Sequence, residues 1–237
     1  MKKFHWISFC LVLLTLVSAC QRREDYGAIQ EAEMSIGLQN FQKLEMGEAF
    51  VIEVTQGSEF SIVAKGDKRN LDDLEYWVSN NTLKMRYKNS RNRQYSTRLY
   101  ITMPTLKETN FSGASKSNIK GFIENSNFIV NLSGASTCDL QVQASSFTFY
   151  VSGASKLKIQ ESINTNKIEA YISGASILNA FLAKTEICDM DVSGASTAEI
   201  SANQTLKVTA SGASLVRYKG SPTIESRLSG ESYLQQD

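Results

Sequence analysis

Phe147-Thr148-Phe149-Tyr150-Val151-Ser152-Gly153-Ala154-Ser155-Lys156-Leu157-Lys158-Ile159 decides the fold. Phe147, Phe149 and Val151 alternate with Thr148 and Tyr150, and Leu157 and Ile159 alternate with Lys156 and Lys158. Period-two alternation marks a strand with one buried face. Between the two strands stand four small residues, which read as a sharp corner: glycine takes positive φ without penalty, and alanine leaves room for chain above and below.

The same plan recurs along the C-terminal half. Ser-Gly-Ala-Ser begins at Ser112, Ser133, Ser152, Ser173, Ser193 and Ser211, and Ser-Gly-Glu-Ser begins at Ser229, at intervals of 21, 19, 21, 20, 18 and 18 residues. Directly before the tetrads stand Phe111, Leu132, Val151, Ile172, Val192, Ala210 and Leu228. After them, Cys138, Leu157, Leu178, Ala198, Val216 and Leu234 form a second column, and Leu140, Ile159, Ala180, Ile200 and Tyr218 a third. Short polar stretches such as Ala144-Ser145-Ser146 and Gly220-Ser221-Pro222 read as connectors.

One such unit cannot bury its own apolar face, so successive units must stack, each about 4.8 Å above the last. The expectation is an all-β chain: a right-handed parallel β-helix (β-solenoid) of about seven turns. The tetrad hydroxyls are expected to link successive turns or to bond backbone groups that the corner frees. Whether Gly113 or Ala114 points inward is left open by the sequence. Before the repeats, Phe41 to Met46, Ala49 to Thr55, Glu59 to Ala64, Tyr76 to Ser79, Leu83 to Tyr87 and Ser96 to Met103 read as strands, with a turn at Asn80-Asn81 and one helical turn within Arg69 to Leu74. These strands are too irregular for the repeat and read as a cap, which an open solenoid end needs to protect its unpaired edge. At the other end, the short polar segment Tyr233 to Asp237 is expected to blunt the last rung.

The chain starts with Met1-Lys2-Lys3, the apolar run Trp6 to Val17, and Leu16-Val17-Ser18-Ala19-Cys20. Twelve residues are too few for a bilayer span, which takes about 20, and the arrangement is that of a signal peptide. Its end resembles a lipoprotein cleavage box, which makes Cys20 the lipid attachment site; several acyl chains at about 0.8 kcal/mol per buried CH₂ give lasting anchorage. The expected organisation is a signal peptide at 1–19, a tether at 20–35, the β cap at 36–106 and the repeats at 107–237. Gln21 after the cysteine favours an outer-membrane destination, the leaflet being undecided.

With 25 Lys+Arg against 24 Asp+Glu, the chain lacks the charge excess of an electrostatic nucleic-acid binder. Its single histidine, His5, lies in the signal segment. The mature chain therefore has no Ser-His-Asp or Cys-His mechanism and no His-ligated metal, and neither a cofactor nor a metal site is expected. Cys138 and Cys188 fall in different columns three repeats apart, beyond the roughly 7 Å a disulfide tolerates, and read as small buried residues. Lys84, Arg86, Lys88, Arg91, Arg93 and Arg98 form a basic cluster that reads as a solvated hairpin loop, or as a contact for lipid phosphate or acidic glycan. The best candidate ligand surface is the outward face of the strands before the corners: Tyr150 and Tyr171 on adjacent turns, Asp191 in the same column, and Glu169 and Asp189 beside them. Stacked tyrosines beside carboxylates suit a sugar.

Phe41 to Leu106, ending in Leu99-Tyr100-Ile101-Thr102-Met103-Pro104, followed by the repeated Ser-Gly-Ala-Ser, resembles the auto-transporter adhesin head domain called the GIN domain, over about Phe41 to Tyr233. The resemblance implies a β-solenoid on a Gram-negative lipoprotein and supplies no catalytic residues. The function expected is a lipid-anchored envelope lipoprotein acting as a non-enzymatic adhesion or recognition module. Its partners would be the membrane, through the anchor, and a glycan or an envelope or host protein, not nucleic acid. The alternatives are a polysaccharide-processing β-helix enzyme centred on Asp191 and Glu169, and a periplasm-facing envelope scaffold.

Overall fold

The computed structural model describes residues 27–237. The signal peptide, Cys20 and the first part of the tether lie outside them. The repeats wind into a parallel β-solenoid of about six turns. Seven turns were expected from seven tetrads, but seven corners bracket only six complete turns. Strands β8 (Glu108–Phe111), β9 (Lys116–Leu132), β10 (Thr137–Val151), β11 (Lys156–Ile159), β12 (Ile163–Ile172), β13 (Ile177–Val192), β14 (Thr197–Ala210), β15 (Leu215–Lys219), β16 (Thr223–Leu228) and β17 (Tyr233–Gln236) build the coil.

The columns align as the repeat demands. Phe111, Leu132, Val151, Ile172, Val192, Ala210 and Leu228 are register partners in succession. So are Cys138, Leu157, Leu178, Ala198, Val216 and Leu234. Apart from the final Leu228 and Leu234, these side chains are buried in one continuous core. Cys138 and Cys188 are both free and buried.

The connectors differ from expectation. Ala144-Ser145-Ser146 lies inside β10, and β9, β13 and β14 also run unbroken from one corner to the next. The chain turns there through register shifts, such as those at Gln141/Val142 and Ala144/Ser146, not through loops. A bulge bends a strand while keeping most of its ladder, so the backbone stays paired where a loop would free it. True breaks occur at 160–162 and 220–222.

At each of the six Ser-Gly-Ala-Ser corners neither the glycine nor the alanine points inward; both are exposed, and the last serine is buried instead. The glycines hold φ between +69° and +80°, and this left-handed step resets the strand alternation. The ladder also continues over the corner: Ala135 donates to Gly113 O at 2.7 Å, Ala154 to Gly134 O at 2.7 Å, and Ala175 to Gly153 O at 2.7 Å. The buried serines serve both roles expected of them. Ser115 Oγ and Ser136 Oγ bond each other across turns at 3.1 Å, and Ser136 Oγ donates to Ser133 O at 2.8 Å.

The N-terminal portion caps the coil, with an order the sequence did not reveal. Strands β2 (Lys43–Met46) and β3 (Val51–Gln56) form a rung below β8 and β9. Strands β6 (Thr82–Tyr87) and β7 (Arg98–Met103) form a further rung below that, parallel to β2 and β3. Antiparallel strands then end the parallel ladder: β5 (Leu74–Ser79) on β6 and β4 (Ser61–Asp67) on β7. Asn80 and Asn81, at φ +50° and +59°, make the tight turn between β5 and β6. The expected helical turn is α1 (Lys68–Leu71), and Asp67 caps it by accepting from Arg69 N at 2.9 Å. Part of the stretch read as tether is folded: β1 (Glu31–Ser35) pairs antiparallel with β4. Among the described residues no helix is long and apolar enough to cross a membrane.

The far end of the coil is not blunted as expected. Strand β16 is exposed along its whole length, with Ile224 at 39% and Leu228 at 45%. Among the described residues, β16 pairs only with β14 and β17 only with β15.

Candidate functional site

The parallel register stacks equivalent outward side chains one turn apart. It brings Asn131, Tyr150, Tyr171 and Asp191 into one column, with Ile129, Thr148, Glu169 and Asp189 in the column two residues earlier. The five residues singled out from the sequence therefore share one face. The rings of Tyr150 and Tyr171 lie 4.9 Å apart and 8° from parallel, and both side chains remain about half exposed. Each ring covers one face of the other. The ring faces left for a ligand point toward Asn131 on one side and toward Asp191 on the other.

Beneath the rings runs a shallow groove lined by Tyr150, Tyr171, Asp191, Ser152, Ser173 and Ser193. The three serines open the tetrads and stand two residues after the column, on the same outward side. In the sequence they read as corner residues. The signal that places them in the groove is the same period of two, carried one step past Val151, Ile172 and Val192. Ser152 Oγ donates to Leu132 O at 3.3 Å.

Two of the three carboxylates are neutralised. Lys167 pairs with Glu169, and Lys207 Nζ lies 3.3 Å from Asp189 Oδ2. Glu169 beside it raises the Lys167 ammonium above the ordinary lysine value, by a direct hydrogen bond first and by charge second. The groove thus offers an aromatic face, the Asp191 carboxylate as acceptor, and hydroxyls that both donate and accept.

The basic cluster is a different matter, because four of its six cationic side chains are engaged within the cap. Lys84 pairs with Glu45 at 2.8 Å, and Arg86 pairs with Glu75 at 2.7 Å while covering Trp77. Arg93 pairs with Asp73 and lies over the Tyr87 ring, 3.4 Å from its centre. Arg91 Nε lies 3.9 Å from Asp73 Oδ2. Lys84 and Arg86 lie in β6 and Arg98 opens β7, while Lys88, Arg91 and Arg93 stand on the long corner between them, which Arg91 fastens to α1 by donating to Arg69 O at 2.7 Å. Among the described residues no group of three or more His, Cys, Asp or Glu side chains could hold a metal ion.

Solved structures share this architecture. A "putative adhesin" from Bacteroides fragilis matches with a TM-score of 0.77 at 18% identity, over 88% of this chain and 97% of that one. A "putative lipid binding protein" from Parabacteroides distasonis matches with a TM-score of 0.69 at 17% identity, over 91% and 100%. A "putative adhesin" from the same species matches with a TM-score of 0.71 at 15% identity, over 89% and 98%. No curated protein matches the chain in sequence. The family model described as "Putative auto-transporter adhesin, head GIN domain" matches residues 40–222, and with most of its length inside that match the chain belongs to this family.

Proposed function

We propose that this protein is a non-enzymatic adhesion module of the cell envelope, anchored to the outer membrane through a lipidated Cys20, which binds glycan on the face carrying Tyr150, Tyr171 and Asp191. The observation that carries the reading is the stacked pair with its free ring face toward Asp191. A sugar ring laid on that face of Tyr171 brings its hydroxyls over the Asp191 carboxylate and beside Ser173 and Ser193. Family membership and the adhesin-named relatives support a role at the cell surface. An enzyme is less well served by this face. Glycosidic chemistry uses a carboxylic acid held protonated next to a carboxylate base in a walled site, whereas Glu169 is half-exposed and salt-bridged and Asp191 stands exposed on the same open sheet.

The test is binding of the purified protein to an array of bacterial and host glycans. Binding is expected, and Tyr171→Ala should weaken it at least about tenfold, the equivalent of about 1.4 kcal/mol, a loss within the usual range for an aromatic contact. Silence across the array, or binding indifferent to Tyr171→Ala, would discard the glycan reading. Separately, Cys20→Ala should release the protein from the membrane fraction.

A further inference from the structure

We infer that two copies of this chain join end to end through their last rungs, β16 against β16 in antiparallel register, across a two-fold axis passing through Ser226. The inference starts from the open end. Ile224 and Leu228 terminate the internal columns that run through Leu206 and Ala210, yet they are 39% and 45% exposed, and Leu234, which ends the column of Val216, is only partly buried. At the opposite end, the corresponding rung is covered by β4 and β5. An apolar cross-section closed at one end and open at the other fits a partner that presents the same open cross-section.

The edge also specifies how that partner sits. Ser229 N–H donates to Ala210 O at 2.9 Å. By strand alternation, Arg227, Glu225 and Thr223 also turn their backbone groups toward β14. Ile224, Ser226 and Leu228 then turn theirs away, toward an incoming strand. In an antiparallel pair centred on Ser226, Ser226 faces Ser226 of the second copy and Ile224 faces Leu228 of the second copy. All three pairings are of the hydrogen-bonded kind, so every outward-turned group finds a partner. Glu225 then faces Arg227 of the second copy in the close, non-hydrogen-bonded kind, twice over. Centring on Glu225 or Arg227 instead would set like charges opposite one another, which destabilises a sheet pair. In the segment Thr223-Ile224-Glu225-Ser226-Arg227-Leu228-Ser229, only the register centred on Ser226 sets Glu225 opposite Arg227. Because the cap lies at the opposite end of the coil from β16, the two cap ends point away from each other in this dimer. If the anchoring through Cys20 holds, the dimer joins two facing lipid surfaces; that last step rests on the anchor reading, and the pairing itself does not.

Sedimentation of the purified full chain in detergent, across a range of concentrations, tests the pairing. A discrete dimer is expected. Glu225→Arg and Arg227→Glu should each raise its dissociation constant at least about tenfold, with unchanged thermal unfolding, and the combined swap should return it to within about threefold. Ser226→Cys should cross-link as a dimer on mild oxidation, since paired Cα atoms about 5.5 Å apart lie within disulfide range, while Cys138 and Cys188 are buried. A monomer at all concentrations, open-ended oligomers, or a dimer indifferent to the charge reversals would overturn the inference. Loss of membrane anchoring in Cys20→Ala with the dimer retained, or the reverse, separates the two readings.

Discussion

The corner glycines leave no room for a side chain. At Gly153 φ is +77°, and an added Cβ would stand 2.3 Å from Gly134 O, the atom that accepts Ala154 N–H. A left-handed alanine costs about 1–2 kcal/mol, and forcing two turns apart costs about 1–3 kcal/mol more. Gly153→Ala should therefore lower unfolding free energy by about 2–5 kcal/mol, seen as a lower denaturant midpoint, whereas Ala154→Ser at the exposed neighbour should stay within about 0.5 kcal/mol. Nature has placed Glu231 at that neighbouring position in the last tetrad, where its N–H still reaches Gly212 O at 2.7 Å. The sequence announced the tetrad but not its orientation. Four small residues carry no contrast of hydrophobicity, and a polar side chain such as Ser155 is assigned outside by any pattern rule, although here it is buried. The thiols were legible, because each sits in an apolar column. Burial pushes the Cys138 thiol up to about 12 and raises Cys188 as well. The unfolded chain then loses these protons first, so stability should fall as pH rises above about 8.5, the ordinary thiol value. Replacing both by alanine should flatten that limb in pH-dependent unfolding, and neither thiol should react with a maleimide until the protein unfolds.

Among the elements, the cap carries the most individual chemistry. The buried Asp67 carboxylate accepts from Arg69 Nε at 2.7 Å and Nη2 at 2.6 Å, and from the backbone of Arg69 and Gln30 at 2.9 and 3.1 Å. The Arg69 side chain first, and these backbone donors with it, hold Asp67 well below the usual carboxylate range against the opposing effect of burial. A depressed acid contributes stability above its unfolded value, about 3.9, and loses it as pH falls below that. Hydrogen-exchange protection in β1 and β4 should fall below pH ~4 before protection in the repeats does. Asp67→Ala should cost about 2–4 kcal/mol, since it removes the carboxylate partner of a partly buried arginine together with an N-cap. The cap strands could be placed from their alternation, but their order could not. In a parallel ladder the neighbour of a strand is set by long-range register, and β6 and β7 slip beneath β2 and β3 although they follow them in the chain. Strand β1 did carry a signal: Ala32 and Met34, packed against the core, alternate with the exposed Glu31, Glu33 and Ser35. Its charge made it look like tether.

The whole molecule is a rod assembled from exchangeable turns. Removal of residues 173–192, one corner to the next, joins Ile172 to Ser193 and preserves every column. That variant should fold cooperatively with an unchanged strand signature in circular dichroism, shorter by about 4.8 Å, whereas deleting nine residues at the same place should not fold. The candidate face was legible at this scale because the repeat fixes which outward residues meet; the lysine partners of Glu169 and Asp189 were not, since side-chain pairing along and across a sheet face depends on rotamers that no spacing encodes. The unbroken ladder over the corners has one more consequence. The hydrogen bonds between turns, at the corner as on the sides, all run along the rod. A pull on the far tip therefore meets the bonds of the last rung one after another, starting from the chain end, while a tug at the flank near Tyr171 loads only the turns between that point and the cap. Under tension the rod uncoils from its open end, turn by turn, like thread drawn off a reel.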